Sequence, residues 1–282
     1  MKKVAIIQDL SSFGKCSLTA AIPVLSVMGV QAVPLPTAIF TAQTGYPSYF
    51  SEDLTTKMPY FQQEWDKLQV TFDGIHTGYI TGKDQVQHIL QFLDRFKSEN
   101  TLLLVDPVMG DMGEAYTNFD EELLQQMREL VTRADVITPN LTECCLLTGY
   151  SYERLNRYAD KLDYLQAVQE AGHQLQQMTD AHIIITGVNA PNAKHAEASI
   201  GNMYMNGESS TFTLVPYNGK SYSGTGDLFA SVIMGSLMRG EDMTTAIEHA
   251  ETFLSAAIRD TDMEGVPTVE GINFERYLRM LL

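Results

Sequence analysis

Basic residues are scarce in this chain. Lys and Arg number 19 against 35 Asp and Glu, a formal net charge of −16. That balance argues against nucleic acid or an anionic membrane surface as a bulk partner. It leaves room for a nucleotide, because a local anion site can sit on an acidic protein. Cysteine is scarce too. Cys16, Cys144 and Cys145 are odd in number and two are adjacent, so neither a disulfide framework nor a zinc motif fits, and reduced thiols in a cytoplasmic protein are expected. No apolar run approaches the roughly 20 residues that span a bilayer. Residues 1–10 read as the start of a strand, without the separate charged and apolar regions of a signal peptide. Repeats, low-complexity tracts and linkers are missing as well, so the 282 residues are expected to form one domain, 1–282. Gly14-Lys15 invites a P-loop reading, but Asp9 stands where that motif needs glycine and Cys16 where it needs Ser or Thr. No strand end supplies a Gly-x-Gly-x-x-Gly dinucleotide fingerprint.

What is present is a 44% apolar content, enough for a sizeable core, in a recurring pattern of short apolar runs and amphipathic stretches. Buried strands are predicted at 4–7, 31–36, 101–105, 135–138 and 182–185, with a further strand end and loop over 73–79. The first is expected to end at Gln8-Asp9, with a loop over 10–14. Helices are predicted over 16–28, 56–67, 84–96, 120–131 and 162–178, with others from Met243 and over 273–281. Strands alternating with helices indicate an α/β protein with a mostly parallel sheet. The character changes after Gly187. Residues 189–198 read as a loop, and 199–206 with 209–216, joined at Gly207-Glu208, read as an antiparallel hairpin.

The most informative stretch is Ser223-Gly224-Thr225-Gly226-Asp227. It runs directly into Leu228, Phe229, Val232, Ile233 and Leu237 at helical spacing, with Gly240 placed to stop the helix. A glycine-rich turn at a helix N-terminus makes an anion site, because unpaired N–H groups and the positive end of the helix dipole coincide there. A carboxylate in that position repels an anion unless it has a task, and the obvious one is to take a proton from an attacking hydroxyl. The alternative is that Asp227 only caps the helix. A second group is Asp106-Pro107-Val108-Met109-Gly110-Asp111, two carboxylates five apart after a buried strand. Magnesium is commonly held by one or two carboxylates plus substrate phosphates. Glu143 starts a short helix, where a favourable charge at the N-terminus is an equally good account. Asp9, Asp106, Asn140 and Thr186 all follow predicted strands, which gathers polar residues at the edge where open parallel sheets bind ligands.

These motifs together resemble the ribokinase-like superfamily and, within it, the pyridoxal kinases. Gly224-Thr225-Gly226-Asp227, the Asp106–Asp111 loop, Thr138-Pro139-Asn140-Leu141-Thr142-Glu143 and Thr44-Gly45-Tyr46 carry the resemblance, which covers nearly the whole chain. It implies a three-layer sandwich with helices on both faces of the sheet. It further implies transfer of the ATP γ-phosphate to the 5′-hydroxyl of pyridoxal, pyridoxine or pyridoxamine. In that scheme Asp227 is the general base, and Gly224, Thr225 and Gly226 form the anion hole. Asp106 and Glu143 lie on the Mg2+ side. Asn140, Thr186, Lys220 and Asp111 face the nucleotide, residues 111–117 being a flap. Asp9, Thr44 and Tyr79 face the pyridine ring. The resemblance also allows a monovalent cation and implies a homodimer. There are departures. Thr41-Ala42-Gln43 and Asp9 are closer to the hydroxymethylpyrimidine kinases of thiamine synthesis, which usually carry cysteine in place of Asp227. A pyrimidine kinase or an enzyme acting on both substrates is therefore the alternative, and a non-catalytic vitamin-phosphate binder is a third reading.

Overall fold

The computed structural model describes residues 1–117, 119–155, 157–158, 160–190, 199–207, 209–216 and 219–282. The chain opens with β1 (Lys3–Ser11), α1 (Ser17–Val27), β2 (Gln31–Phe40), β3 (Ser51–Asp53), α2 (Met58–Lys67), β4 (Gly74–Thr77), α3 (Lys83–Phe96) and β5 (Leu102–Val105). There follow β6 (Gly110–Asp111), β7 (Glu114–Ala115), α4 (Glu121–Thr132), β8 (Val136–Ile137), α5 (Leu141–Thr148), α6 (Tyr152–Leu155) and α7 (Lys161–Gln176). The last elements are β9 (His182–Ala190), β10 (Ser199–Asn206), β11 (Ser209–Pro216), α8 (Thr225–Met238) and α9 (Met243–Met263), with a 3-10 turn over Phe274–Leu281. Two compact units result: Met1–Leu104 with Ser221–Leu282, and Val105–Lys220.

In the first unit the strands run in the order β3-β2-β1-β4-β5, with β1 parallel to both β2 and β4. Val4 through Asp9 are all buried, so both faces of β1 are covered, which explains its continuous apolar run. α1 packs on β1, β2 and α8, and α8 packs on α9; α2 packs on β2 and α3. The amphipathic face of α3 is as expected: Val86, Ile89, Leu93 and Phe96 are buried, and Phe92 joins Trp65, Phe72 and Phe96 in an aromatic cluster. In the second unit β8 and β9 are parallel, while β10 is antiparallel to both β9 and β11. The expected hairpin is therefore present, with Asn206 opposite Ser209, although Glu208 lies outside the described residues. The α/β class and the mostly parallel sheet follow as read from the sequence.

Three strand ends run further than expected, β2 to Phe40 rather than residue 36 and two others for a common reason. β1 does not stop at Gln8 but continues through a register irregularity between Gln8 and Leu10 to Ser11. β9 does not stop before Thr186 but continues to Ala190, paired with β10. In both cases polar residues that read as loop are held by a neighbouring strand, which a local pattern cannot reveal. Of the loop expected over 189–198, residues 191–198 lie outside the described residues. The short elements β3, β6, β7 and α6 carry too few residues for a periodic signal and were not expected.

Candidate active site

The first unit gathers Asp9, Tyr79 and Asp227, together with residues the sequence did not single out. Asp9 sits near the end of β1, buried. Its Oδ1 accepts from the Ser17 hydroxyl at 2.6 Å and its Oδ2 from the Ser11 hydroxyl at 2.7 Å. Burial raises its pKa above the ordinary carboxylate value, and the two serines oppose that rise. Asp9 and Tyr79 are close enough to feel each other: burial first, then the charge of Asp9, pushes the Tyr79 phenol up to about 12. Tyr79 packs edge-on against Phe40, which also meets Tyr49, so an aromatic wall stands beside the carboxylate.

Asp227 is the third residue of α8. It keeps partial exposure, yet neighbouring atoms enclose its carboxyl enough that burial pushes its pKa up to about 7. The backbone N–H of Ser17 partly offsets this, and the charge of Asp9 adds to it. Cys16 also lies near both carboxylates, and burial with their charges keeps its thiol protonated. The cap that would make Asp227 a purely structural residue is absent. α4, α5, α7 and α9 each begin with an Asp or Asn whose side chain accepts from a first-turn N–H, whereas α8 begins with Gly224 and no side-chain cap. α1 begins at Cys16, also without one. The two glycines of the turn differ. Gly224 has φ +77° and a Cβ there would lie 2.0 Å from the Lys15 carbonyl oxygen, so the fold itself demands glycine. A Cβ at Gly226 would meet nothing within 4 Å. Packing does not require glycine at 226, whereas an anion approaching the backbone would.

The loop carrying Thr44 is braced to the same region. The Gln43 backbone N–H donates to the Phe13 carbonyl at 2.9 Å, its side-chain amide donates to the Val269 carbonyl at 2.8 Å, and its side-chain oxygen accepts from the Gly45 N–H at 2.7 Å. Gln43 is buried and Thr44 is exposed. Tyr46 packs on Phe13 at 5.3 Å between ring centres.

The second unit gathers Asp106, Asp111, Asn140, Glu143 and Thr186. Asn140 and Thr186 form a parallel bridge, and the Thr186 N–H donates to the Pro139 carbonyl at 2.9 Å. Asn140 caps α5 through its side-chain oxygen, which accepts from the Glu143 N–H at 3.0 Å, while its amide donates to the Gly110 carbonyl at 2.8 Å. Glu143 is buried and completes a capping box. One carboxylate oxygen accepts from Asn140 N–H at 2.7 Å and the other from Met109 N–H at 3.0 Å. Burial and then the neighbouring Asp106 hold the Glu143 pKa well above its ordinary value, with a smaller effect of Asp111. Part of the stretch 111–117, expected as a flap, forms the hairpin of β6 and β7, whose turn is made by Met112 and Gly113, both at positive φ. α5 holds it at three points: Gly110 to Asn140, Gly113 N–H to the Thr142 hydroxyl at 2.9 Å, and Met109 to Glu143. Asp111 is exposed, and its carboxylate accepts from the Met112 N–H at 2.8 Å. Lys220 is exposed at the end of this unit, after residues 217 and 218, which lie outside the described set. Among the described residues no three His, Cys, Asp or Glu side chains group as a ready metal site. Asp106 and Glu143, both oxygen donors and both buried, are the pair whose chemistry suits a hard cation.

A family model for phosphomethylpyrimidine kinase matches residues 12–269. The chain belongs to that family. It is a kinase that acts on a vitamin or vitamin precursor, since the curated members to which it is similar are pyridoxal kinases and hydroxymethylpyrimidine/phosphomethylpyrimidine kinases. One solved structure, from Bacteroides thetaiotaomicron, is described as a candidate phosphomethylpyrimidine kinase with pyridoxal. It is 40% identical with a TM-score of 0.88, over 99% of this chain and 95% of that one. Pyridoxal kinase from Lactobacillus plantarum is 31% identical with a TM-score of 0.84, over 100% and 97%. The Bacillus subtilis hydroxymethylpyrimidine/phosphomethylpyrimidine kinase is 27% identical over 90% of this chain and 81% of its own length. The fold is the ribokinase-like one of these structures. Among the described residues no helix is long and apolar enough to cross a membrane.

Ser11, Ser17 and Cys16 are the site residues that sequence reasoning missed. Ser11 lies two residues beyond Asp9 on the same strand, a spacing that shares a face only because β1 runs on past Gln8, whereas Cys16 and Ser17 return to Asp9 through the fold of the 12–16 loop. Gln43 was noticed only as a family signature, and its bracing role depends on Val269, which is 226 residues away.

Proposed function

We propose that this kinase transfers the γ-phosphate of ATP to the 5′-hydroxyl of pyridoxal, pyridoxine or pyridoxamine. The observation that carries the reading is Asp227 in the first turn of an uncapped helix, with its pKa near 7 and a second carboxylate, Asp9, beside it. A carboxylate poised near neutrality can accept the proton of an attacking hydroxyl as the O–P bond forms. The N–H groups of Gly224, Thr225 and Gly226, with the open side of Gly226, receive the transferred phosphoryl group. Asp9, fixed by two serines, accepts from a ring donor. Thr44 and Tyr79 complete the ring side, where Phe40 and Tyr49 supply aromatic surface. Asp106 and Glu143 would hold Mg2+, which neutralises phosphate charge when bound. Asn140, Thr186, Asp111 and Lys220 serve the nucleotide. Positioning and charge neutralisation account for most of phosphoryl-transfer catalysis. A cytoplasmic homodimer belongs to the same reading, and light scattering on the purified protein tests the dimer.

Pyridoxal is preferred as acceptor for two reasons. The relative crystallised with pyridoxal is 40% identical. Gln43, the residue that likens this loop to pyrimidine kinases, has its amide engaged by Val269 and Gly45 and serves as a brace. Asp9 and the name of the family favour the second reading, hydroxymethylpyrimidine as acceptor. The test is ADP release with ATP and Mg2+ on the two acceptors side by side. A preference of tenfold or more for the pyrimidine overturns the first reading, and equal turnover would make the enzyme dual.

A further inference from the structure

Ser17 stands in a conformation that its residue type does not favour. It is the first residue of α1 and has φ +49°, the left-handed region that costs a non-glycine residue on the order of 1 kcal/mol or more. Its neighbour across the site, Gly224, solves the same problem with glycine. At Ser17 the chain keeps a side chain, buries it to 5% exposure, and spends its only hydroxyl proton on Asp9 Oδ1 at 2.6 Å. The same residue turns its backbone N–H toward the Asp227 carboxyl. One strained residue therefore serves both carboxylates, bonding Asp9 through the side chain and lowering the proton affinity of Asp227 through the main chain. Strain held at such a point is a mark of a functional constraint.

We propose that Ser17 is a positioning residue whose hydroxyl fixes Asp9 as an ionised, oriented acceptor beside Asp227. The inference rests on the reading of Asp9 and Asp227 as acceptor-binding group and base. A buried carboxylate keeps its charge only if donors reach it. Ser11 supplies one side-chain donor and Ser17 another, on opposite oxygens, with a smaller contribution from the Asp9 backbone N–H. An ionised Asp9 in turn raises the proton affinity of Asp227. The titratable groups around the pair are Tyr79, Cys16, Lys15 and His76, and the Tyr79 phenol, pushed up to about 12, stays neutral beside Asp9. Cys16 remains a neutral thiol, and the Lys15 ammonium is directed to Asn273 at 2.6 Å and Glu275 at 2.9 Å. On the adjoining β4, His76 is buried and neutral, with its pKa lowered to about 4.

The test uses the full chain and Ser17→Gly, which removes the hydroxyl and relieves the backbone. Expected results are an unchanged or higher Tm, a rise of tenfold or more in KM for the acceptor with a smaller change in kcat, and a downward shift of the acid limb of kcat. In an Asp9→Asn background the same substitution should change KM less than twofold, because the hydroxyl acts through Asp9. Carboxyl 13C titration of the free protein reads the step directly, and the Asp9 midpoint should rise in Ser17→Gly. An unmoved midpoint overturns the proposal, whichever acceptor the enzyme uses. So does an equal loss in both backgrounds. Absence of turnover on pyridoxal and on hydroxymethylpyrimidine would count against the functional reading, and the titration would still decide the role of Ser17.

Discussion

Asp227 and Glu143 occupy equivalent places, each the third residue of a helix that follows a turn, and they do different things. Glu143 faces an Asn cap, reaches back to the cap N–H, and has a backbone donor on each oxygen. Asp227 follows a glycine cap, has a shorter side chain, and none of the described residues forms an ion pair with it. Both are enclosed, and both pKa values are raised by burial first. The difference is hydrogen-bond satisfaction. An acid in a first helical turn is structural where the turn offers it donors. It becomes chemically available where the cap is a glycine and a donor such as the Ser17 N–H comes from another helix. Glu143 can still face a cation with its remaining lone pairs, but its first task is to hold the start of α5 and the β6–β7 hairpin in place.

The largest effect should come from removing the available acid. Asp227→Ala should lower kcat by about 10²–10⁴-fold while leaving nucleotide binding intact. A loss of only a few-fold in steady-state turnover would mean that another group is the base. The matching change on the structural side is Glu143→Ala, which strands the Met109 and Asn140 N–H groups. Each unsatisfied buried donor costs about 1–3 kcal/mol, so thermal unfolding should show a fall of several degrees, larger than for Asp227→Ala. Equal Tm values for the two variants would erase the distinction drawn between them.

A smaller effect is expected in metal dependence. Asp106→Ala should raise the Mg2+ concentration for half-maximal activity, and an unchanged titration would remove Asp106 from that role. The pH behaviour is subtler. In the proposed role Asp227 acts deprotonated, so kcat should rise with pH through about 7. The sign for stability is opposite. The folded state binds this proton more tightly than the unfolded state, whose carboxylate titrates near 3.8. The group therefore favours folding most below that value, and its contribution falls as pH climbs toward about 7. Asp227→Asn should raise Tm at pH 8 relative to the parent and lose the effect at pH 4. A Tm difference independent of pH would show that titration of this carboxyl is not the cause.

Much of this was legible in the chain itself. The alternation of apolar runs and amphipathic stretches specified the α/β class, because a strand covered on both faces must be apolar throughout. Gly224 to Asp227 announced the helix start. Asn140 and Thr186, 46 residues apart, read as separate strand ends, and their bridge required the pairing of two strands. The brace from Gln43 to Val269 and the return of Ser17 to Asp9 were equally invisible.

By itself the sequence determined the periodicities, the glycine turn, the acidic balance and the identity of every acid at the site, since these depend on neighbours within a few residues. Only the tertiary structure decided which acids are satisfied and which are poised. Proton affinity depends on burial and on donors that approach from elsewhere in the chain, and Ser17 reaches Asp9 and Asp227 only because a strand, a loop and two helix starts converge.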